Sequence, residues 1–148
     1  MPRQLELSDL NDMLAGSEDD LGVQEFLDVM GAALTSGDDA SAAALWDTPA
    51  YVLGSDTSFV IRAPNQLEVL FVAARERYSA RGVIDTHPEI VRLDEINDRV
   101  VMVRVHWPWI DAKGREVGGE TSTYTLQRND DGEWKLRVVL MHGAEAVS

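Results

Sequence analysis

Residues 64–82 read PNQLEVLFVAARERYSARG, and residues 100–110 read VVMVRVHWPWI. In the first stretch the apolar side chains recur at intervals of three and four residues. This spacing predicts a helix with one buried face that begins at Pro64 and stops before Gly82. In the second stretch valines and tryptophans alternate with other side chains, which is the period of two that a strand requires. The change of period near Gly82 predicts an α+β fold, with helices first and strands second.

Two further helices are predicted upstream. Residues 20–36 repeat the three-and-four spacing, and Gly37 supplies a helix stop. Asp38 or Asp39 can then cap a short second helix, because an aspartate side chain accepts hydrogen bonds from the free amides of a first turn. This helix is predicted to run through Trp46.

The remaining elements are predicted to be strands. Short β-branched or aromatic runs on either side of Gly54 indicate a small hairpin, and four longer runs after Gly82 are joined by turn residues. The predicted strands form an antiparallel arrangement and span Ala50–Leu53, Ser58–Ile61, Ile84–Ile96, Val100–Ile110, Glu116–Arg128 and Glu133–His142.

Composition excludes several classes of protein. With 148 residues, 45% of them hydrophobic, the chain is the size of one domain, and we expect residues 1–18 to form an N-terminal arm or short helix and residues 19–148 a single domain. The net charge of −13 argues against nucleic-acid binding and against an anionic membrane surface. Because no cysteine is present, disulfides and thiolate metal sites are excluded. We expect a cytoplasmic protein.

Acidic residues are concentrated at the beginning of the chain. Residues 1–47 hold eleven acidic side chains and one basic side chain, Arg3. Such a surface can serve solubility or dock a basic partner, and the sequence leaves both interpretations open.

Three stretches carry a resemblance to a known superfamily. They are Ala32–Asp39, Ala44–Trp46 and Asp131–Leu136, in that order and at characteristic intervals. The chain resembles the nuclear transport factor 2-like superfamily, which includes ketosteroid isomerase and SnoaL-like polyketide cyclases. The resemblance implies a cone-shaped, curved antiparallel sheet wrapped around three N-terminal helices. It also implies a deep pocket on the concave side and, often, a homodimer through the convex side.

The fold alone does not imply an activity. The three positions that correspond to the functional groups of ketosteroid isomerase are Met30, Gly54 and Thr123, none of which is the residue that its mechanism needs. A steroid-isomerase mechanism is therefore rejected.

Acid/base candidates follow from residue type and strand parity. Glu120 and Tyr124 share one face of a strand, and His142 shares parity with Trp134 and Leu136 on the last strand. These three are the candidate catalytic residues. The other two histidines are given no catalytic role. His87 is expected to be exposed or to act as a cap, and His106 points to the convex side if the face of its strand that holds the valines and tryptophans lines the core.

Aromatic residues are the candidate ligand-binding groups, because they fall where the pocket of this superfamily lies and their rings can bury flat apolar surface. They are Trp46, Tyr51, Trp107 and Trp109. The alternative for each is a place in the core. Arg92, Arg104 and Arg137 lie within strands and are expected to pair with acids on the convex face.

Two functions remain open. The first is a pocket for a small hydrophobic or aromatic molecule, with acid/base isomerase, dehydratase or cyclase chemistry that needs no cofactor. The second is a non-catalytic, dimeric interaction module with an acidic docking surface. No metal is expected, since the three histidines have no ligand spacing.

Overall fold

The computed structural model describes residues 21–146 and confirms the α+β prediction. The three helices are α1 (Val23–Ser36), α2 (Asp39–Ala43) and α3 (Asn65–Ala80). The seven strands are β1 (Trp46–Leu53), β2 (Ser58–Ile61), β3 (Asp85–Thr86), β4 (Glu89–Asn97), β5 (Val100–Ile110), β6 (Glu116–Arg128) and β7 (Trp134–Ala146). The predicted arm, residues 1–18, lies outside the described residues.

The helix ends follow the sequence signals, with one exception. Gly37 ends α1 with φ +79°, and Asp38 caps α2 by accepting a hydrogen bond from the Ser41 amide. The prediction that α2 runs through Trp46 is wrong. Trp46 instead begins β1, because the backbone there bonds to the sheet: the Leu136 amide donates to the Leu45 carbonyl over 2.8 Å.

One curved sheet holds all seven strands, in the order β2-β1-β7-β6-β5-β3, with β4 also paired to β5. Neighbouring strands run antiparallel as predicted, except that β1 runs parallel to β7. The predicted strand Ile84–Ile96 is divided into β3 and β4 at His87 and Pro88. Proline has no amide hydrogen to donate to a strand ladder, which accounts for the break.

Two bulges change the parity of β7. Leu136 pairs with Leu126 but Val138 pairs with Thr125, so Arg137 is an extra residue. Met141 pairs with Ser122 but Gly143 pairs with Thr121, so His142 is a second one. After the first bulge Val139 faces the same side as Leu136, and the residues beyond it have exchanged faces.

The core lies between the concave face of the sheet and the helices. One face of β5 holds Val101, Val103, Val105, Trp107 and Trp109, as their alternation predicted. The structure shows that this face is the concave one, and all five side chains are buried. Phe26, Leu27 and Phe71 cover them from α1 and α3. At Gly31 an added Cβ would lie 3.1 Å from the Trp107 ring, so a glycine allows α1 to approach the sheet closely. None of the helices within residues 21–146 is long and apolar enough to cross a membrane.

Candidate functional site

A cavity of about 110 Å³ lies between the helices and the concave face of the sheet. We call it the inner cavity. Its walls are mostly apolar, and its polar groups are Glu120, Ser122 and Tyr124 of β6 and Arg77 of α3. A cavity of this size holds about one small ring.

Glu120 and Tyr124 come together here as predicted from their parity. Both line the inner cavity, on the concave side of the same strand. Their cross-strand partners on β5 are Trp107 and Val103, which are buried on that face. Residues directly opposite each other in a sheet point to the same side, so the inward parity of β5 carries over to β6.

Tyr78 of α3 completes the polar part of the site. Its hydroxyl donates a hydrogen bond of 2.5 Å to Oε1 of Glu120. The three-and-four spacing of residues 64–82 puts Tyr78 on the same helix face as Leu67, Phe71 and Ala74, but no role was predicted for it. A polar hydroxyl at the end of an otherwise apolar helical face was the available signal, because a buried tyrosine hydroxyl needs a partner.

Tyr124 has a different hydrogen-bond arrangement. The indole Nε1 of Trp107 donates to its hydroxyl oxygen over 2.8 Å. An indole nitrogen can only donate, so the Tyr124 oxygen accepts in this contact. The Ser122 side chain is a second hydrogen-bonding neighbour of this hydroxyl, and both groups line the inner cavity, where the Tyr124 hydrogen can be donated to a ligand.

Both tyrosines are held in the protonated form. Burial, and next the negative charge of Glu120, raises the pKa of the Tyr78 hydroxyl far above its ordinary value of 10.0. The same two causes, in the same order, raise the pKa of Tyr124. Each hydroxyl thus remains a hydrogen-bond donor at neutral pH.

Only one of the four predicted aromatic ligand-binding residues lines the inner cavity, and it is Trp46. Trp107 is buried behind Tyr124, and Trp109 packs edge-on against the Tyr78 ring with a centroid distance of 6.3 Å. Tyr51 points the other way, with 44% of its surface exposed, because its neighbours Ala50 and Val52 take the inward positions of β1.

His142 does not reach the inner cavity, so the prediction that it shares the strand face of Trp134 and Leu136 is wrong. The bulges in β7 turn its ring to the convex face, where Nε2 lies 2.6 Å from the Thr123 hydroxyl. His106 lies on the convex face as predicted, next to Thr121, and His87 is exposed as predicted. No histidine within residues 21–146 lines the inner cavity.

The three strand arginines behave differently from one another. Arg92 pairs with Asp94 over 2.9 Å, as expected. Arg137 donates instead to the Pro49 carbonyl and the Gln127 side chain. Arg104 is exposed and forms no ion pair with the described residues. In residues 21–146 no three histidine, aspartate or glutamate side chains gather closely enough to hold a metal ion.

Solved structures with the same fold are numerous, and three illustrate it. An NTF-2-like protein of unknown function from Shewanella oneidensis is 13% identical, with 84% of this chain and 98% of that chain covered and a TM-score of 0.63. A ketosteroid isomerase-like protein from Erwinia carotovora is 16% identical, with 88% and 98% covered and a TM-score of 0.63. An NTF2-like protein with a cystatin-like fold from Novosphingobium aromaticivorans is 15% identical, with 95% and 91% covered and a TM-score of 0.63. At these identities the similarity establishes the fold alone.

No curated protein sequence matches the chain. Residues 17–144 match the family described as NTF2-like protein (DUF6841). The match covers most of the chain, from before α1 to the last residues of β7. The chain belongs to this NTF2-like family.

Proposed function

We propose that the protein binds a small, neutral, mostly apolar molecule in the inner cavity and transfers a proton on it. Glu120 is the base, and Tyr124 donates a hydrogen bond to a carbonyl or hydroxyl oxygen of the ligand. The observation that carries the proposal is the pairing of a carboxylate with a protonated tyrosine hydroxyl in one mostly apolar cavity.

The two groups have complementary parts in such a reaction. When a proton leaves the carbon next to a carbonyl group, negative charge develops on the carbonyl oxygen. A donor already oriented toward that oxygen stabilises the charge, and the contact with Trp107 orients Tyr124. The proton passes to a carboxylate oxygen of Glu120, and returning it to a different atom of the ligand would complete an isomerisation.

Tyr78 acts as a positioning residue in this scheme. Its hydrogen bond occupies Oε1 of Glu120, which leaves Oε2 as the oxygen for the ligand. The neutral character of the ligand follows from charge: Glu120 and Arg77 bring one charge of each sign to the cavity wall, so neither an anion nor a cation is favoured, and both tyrosines remain protonated.

Binding is tested first. Thermal-shift and tryptophan-fluorescence titrations with small cyclic ketones such as cyclohexanone should give a saturable response, because a ligand bound only by the folded state stabilises it. Tyr124→Phe should weaken binding roughly five-fold by removing one hydrogen bond. The matched control is Tyr51→Phe, which removes the same atom outside the cavity. Equal affinities for the two variants would contradict the proposal.

Proton transfer is tested in deuterium oxide. The wild-type protein should speed the exchange of hydrogen for deuterium next to the carbonyl group, measured by NMR, and Glu120→Gln should abolish the acceleration while the ketone still binds. If ketones bind but no exchange is accelerated, the protein is a binding module. If nothing binds, the interaction module with an acidic docking surface becomes the better account, and partner capture is the next experiment.

We also propose a homodimer through the convex face and a cytoplasmic location. Tyr51 and Leu53 are 44% and 41% exposed on β1, and their cross-strand partners on β7 are Val138 and Leu140. These four side chains form an apolar strip that a second copy could cover. Sedimentation should give about twice 16.4 kDa for the wild type and about 16.4 kDa for Leu53→Glu. A wild-type monomer at micromolar concentration would contradict the dimer.

A further inference from the structure

A second and larger cavity lies on the other side of Tyr78. It has a volume of about 490 Å³ and is bounded by the last turns of α1 and α3 and by β3. We call it the outer cavity. Leu34 lines both cavities, and Tyr78 lines the outer one while its hydroxyl bonds to Glu120 of the inner one. The two spaces therefore meet at these side chains.

Size separates the two cavities. Pockets that bind small molecules and cofactors usually measure about 300–1,000 Å³, a range that includes the outer cavity and excludes the inner one. A ligand of ordinary size whose reacting end lies at Glu120 must therefore extend past Tyr78 into the outer cavity.

Thr86 supplies a hydrogen-bonding group there. It lies on β3 at the wall of the outer cavity and is 8% exposed, yet its hydroxyl has no hydrogen-bond partner among the described residues. Its cross-strand neighbour Trp109 is 4% exposed, and its indole Nε1 also lacks a partner within residues 21–146. Trp109 lines neither cavity, but Thr86 lines the outer one. Buried polar atoms are almost always paired, so the Thr86 hydroxyl indicates a place for an external polar atom, which reaches it when a ligand displaces the side chains that cover it.

The charges around the outer cavity favour a neutral group. Arg75 is held by both carboxylate oxygens of Asp39, one of them 3.1 Å from its Nη2, so its charge is already balanced. Asp85, on the same wall, is exposed and adds a negative charge. Among the described side chains that line the cavity, a carboxylate or phosphate would thus find no unbalanced cation, whereas a hydroxyl or carbonyl group could bond to Thr86.

We infer that the outer cavity is the second compartment of the ligand site and holds the neutral polar end of an elongated ligand, hydrogen-bonded to the Thr86 hydroxyl. This inference rests on the proposed function, since it assigns the reacting end of the ligand, a small ring, to the inner cavity. The ligand class is then a neutral molecule with a small ring at one end and a short chain that carries a hydroxyl or carbonyl group at the other.

The test compares ligands that differ only at the chain end. Toluene probes the inner cavity alone. Phenylalkanols with two to four methylene groups probe both cavities, and the matching alkylbenzenes and phenylalkanoates replace the hydroxyl group by hydrogen or by a carboxylate. Dissociation constants are measured by tryptophan fluorescence. The best alcohol should bind roughly five-fold more tightly than its alkylbenzene, as one net hydrogen bond predicts, and the carboxylates should bind less tightly than the alcohols.

Two variants make the test specific. Thr86→Val keeps the side-chain shape and should abolish the preference for the alcohol without changing toluene affinity. Since the Thr86 hydroxyl has no partner in the described residues, the ligand-free variant should melt no lower than the wild type. Ile84→Trp, at a 62% exposed position that lines the outer cavity, should weaken the alcohols and leave toluene unchanged.

The outcomes separate the two proposals. If neither cyclohexanone nor toluene binds the wild type, the proposed ligand function of the inner cavity fails. If toluene binds but Thr86→Val keeps the alcohol preference, or lowers the melting temperature of the free protein, the Thr86 hydroxyl has a structural role, and the second compartment is refuted while the inner site stands.

Discussion

Alkaline pH should destabilise the protein through Tyr78 and Tyr124. Both hydroxyls have pKa values raised far above 10.0 in the folded state, first by burial and then by the charge of Glu120. In the unfolded chain a tyrosine ionises near pH 10. A group whose pKa is raised by folding contributes its full stability below the unfolded value and loses it as the pH rises. The free energy of unfolding should therefore fall above about pH 10.

The magnitude comes from the linkage between proton binding and folding. Where the unfolded chain is ionised and the folded protein is not, each such tyrosine lowers the free energy of unfolding by about 1.4 kcal/mol per pH unit. Between pH 8 and pH 11 the two tyrosines together should contribute a loss of up to about 2.8 kcal/mol. A difference of that size is a large part of the stability of a domain of this length.

The assay is urea unfolding followed by tryptophan fluorescence at pH 8 and pH 11. Tyr124→Phe also leaves the Trp107 indole without its acceptor, so the variant is less stable at every pH. Only the change between the two pH values is compared for this reason. The double variant Tyr78→Phe/Tyr124→Phe should lose most of the tyrosine contribution, and Tyr51→Phe, at an exposed position, is the control. An equal fall with pH in the wild type and the double variant would refute the reasoning.

Two substitutions test the packing around the site and the helix cap. In Gly119→Ala the new Cβ would lie 2.7 Å from Cε1 of His106 and 3.0 Å from the Trp107 carbonyl oxygen. The free energy of unfolding, measured with urea, should therefore fall by about 1–3 kcal/mol. Unchanged stability would contradict the pairing of Gly119 with β5. Asp38→Ala should lower the melting temperature by removing the cap of α2. The pKa of Asp38 is lowered by its hydrogen bonds with Ser41, so the cap stabilises the fold at pH values above the unfolded pKa of 3.8. The difference in melting temperature between the variant and the wild type should therefore shrink as the pH falls below 3.8. A constant difference down to about pH 2 would contradict this cause.

Periodicity predicted the elements that obey it without interruption. Along β5 the alternation separated Val103, Val105 and Trp107 from Arg104 and His106, as observed, although it did not say which of the two faces is concave. The parity of Glu120 and Tyr124 on β6 held for the same reason, since no bulge lies between them on their own strand. A pattern of period two is reliable as long as each residue advances the strand by one step.

The same argument failed on β7 because two residues there do not advance the ladder. Arg137 and His142 are each an extra residue opposite β6, and every bulge exchanges the faces of the residues after it. Val139 therefore faces inward where Val138 was expected to, and His142 leaves the site. Nothing in the local sequence marks the bulge at Arg137, and this first bulge already reverses the parity of the residues up to His142. The second bulge does carry a signal, because Gly143 follows His142 and has φ +119°.

The contact between Tyr78 and Glu120 shows a different limit and has a mechanical consequence. The two residues are 42 positions apart, so periodicity can assign each to a face but cannot bring the faces together. Glu120 lies on β6, which is paired along its length with both β5 and β7 and is therefore fixed by the sheet. Tyr78 lies in the last turn of α3. The fully buried residues of this helix are Leu67 and Phe71, which lie in its first half. Helix α3 therefore has fewer buried contacts than strand β6 to hold it in place. A ligand that passes between the two cavities should displace Tyr78 while Glu120 and Tyr124 keep their relative positions.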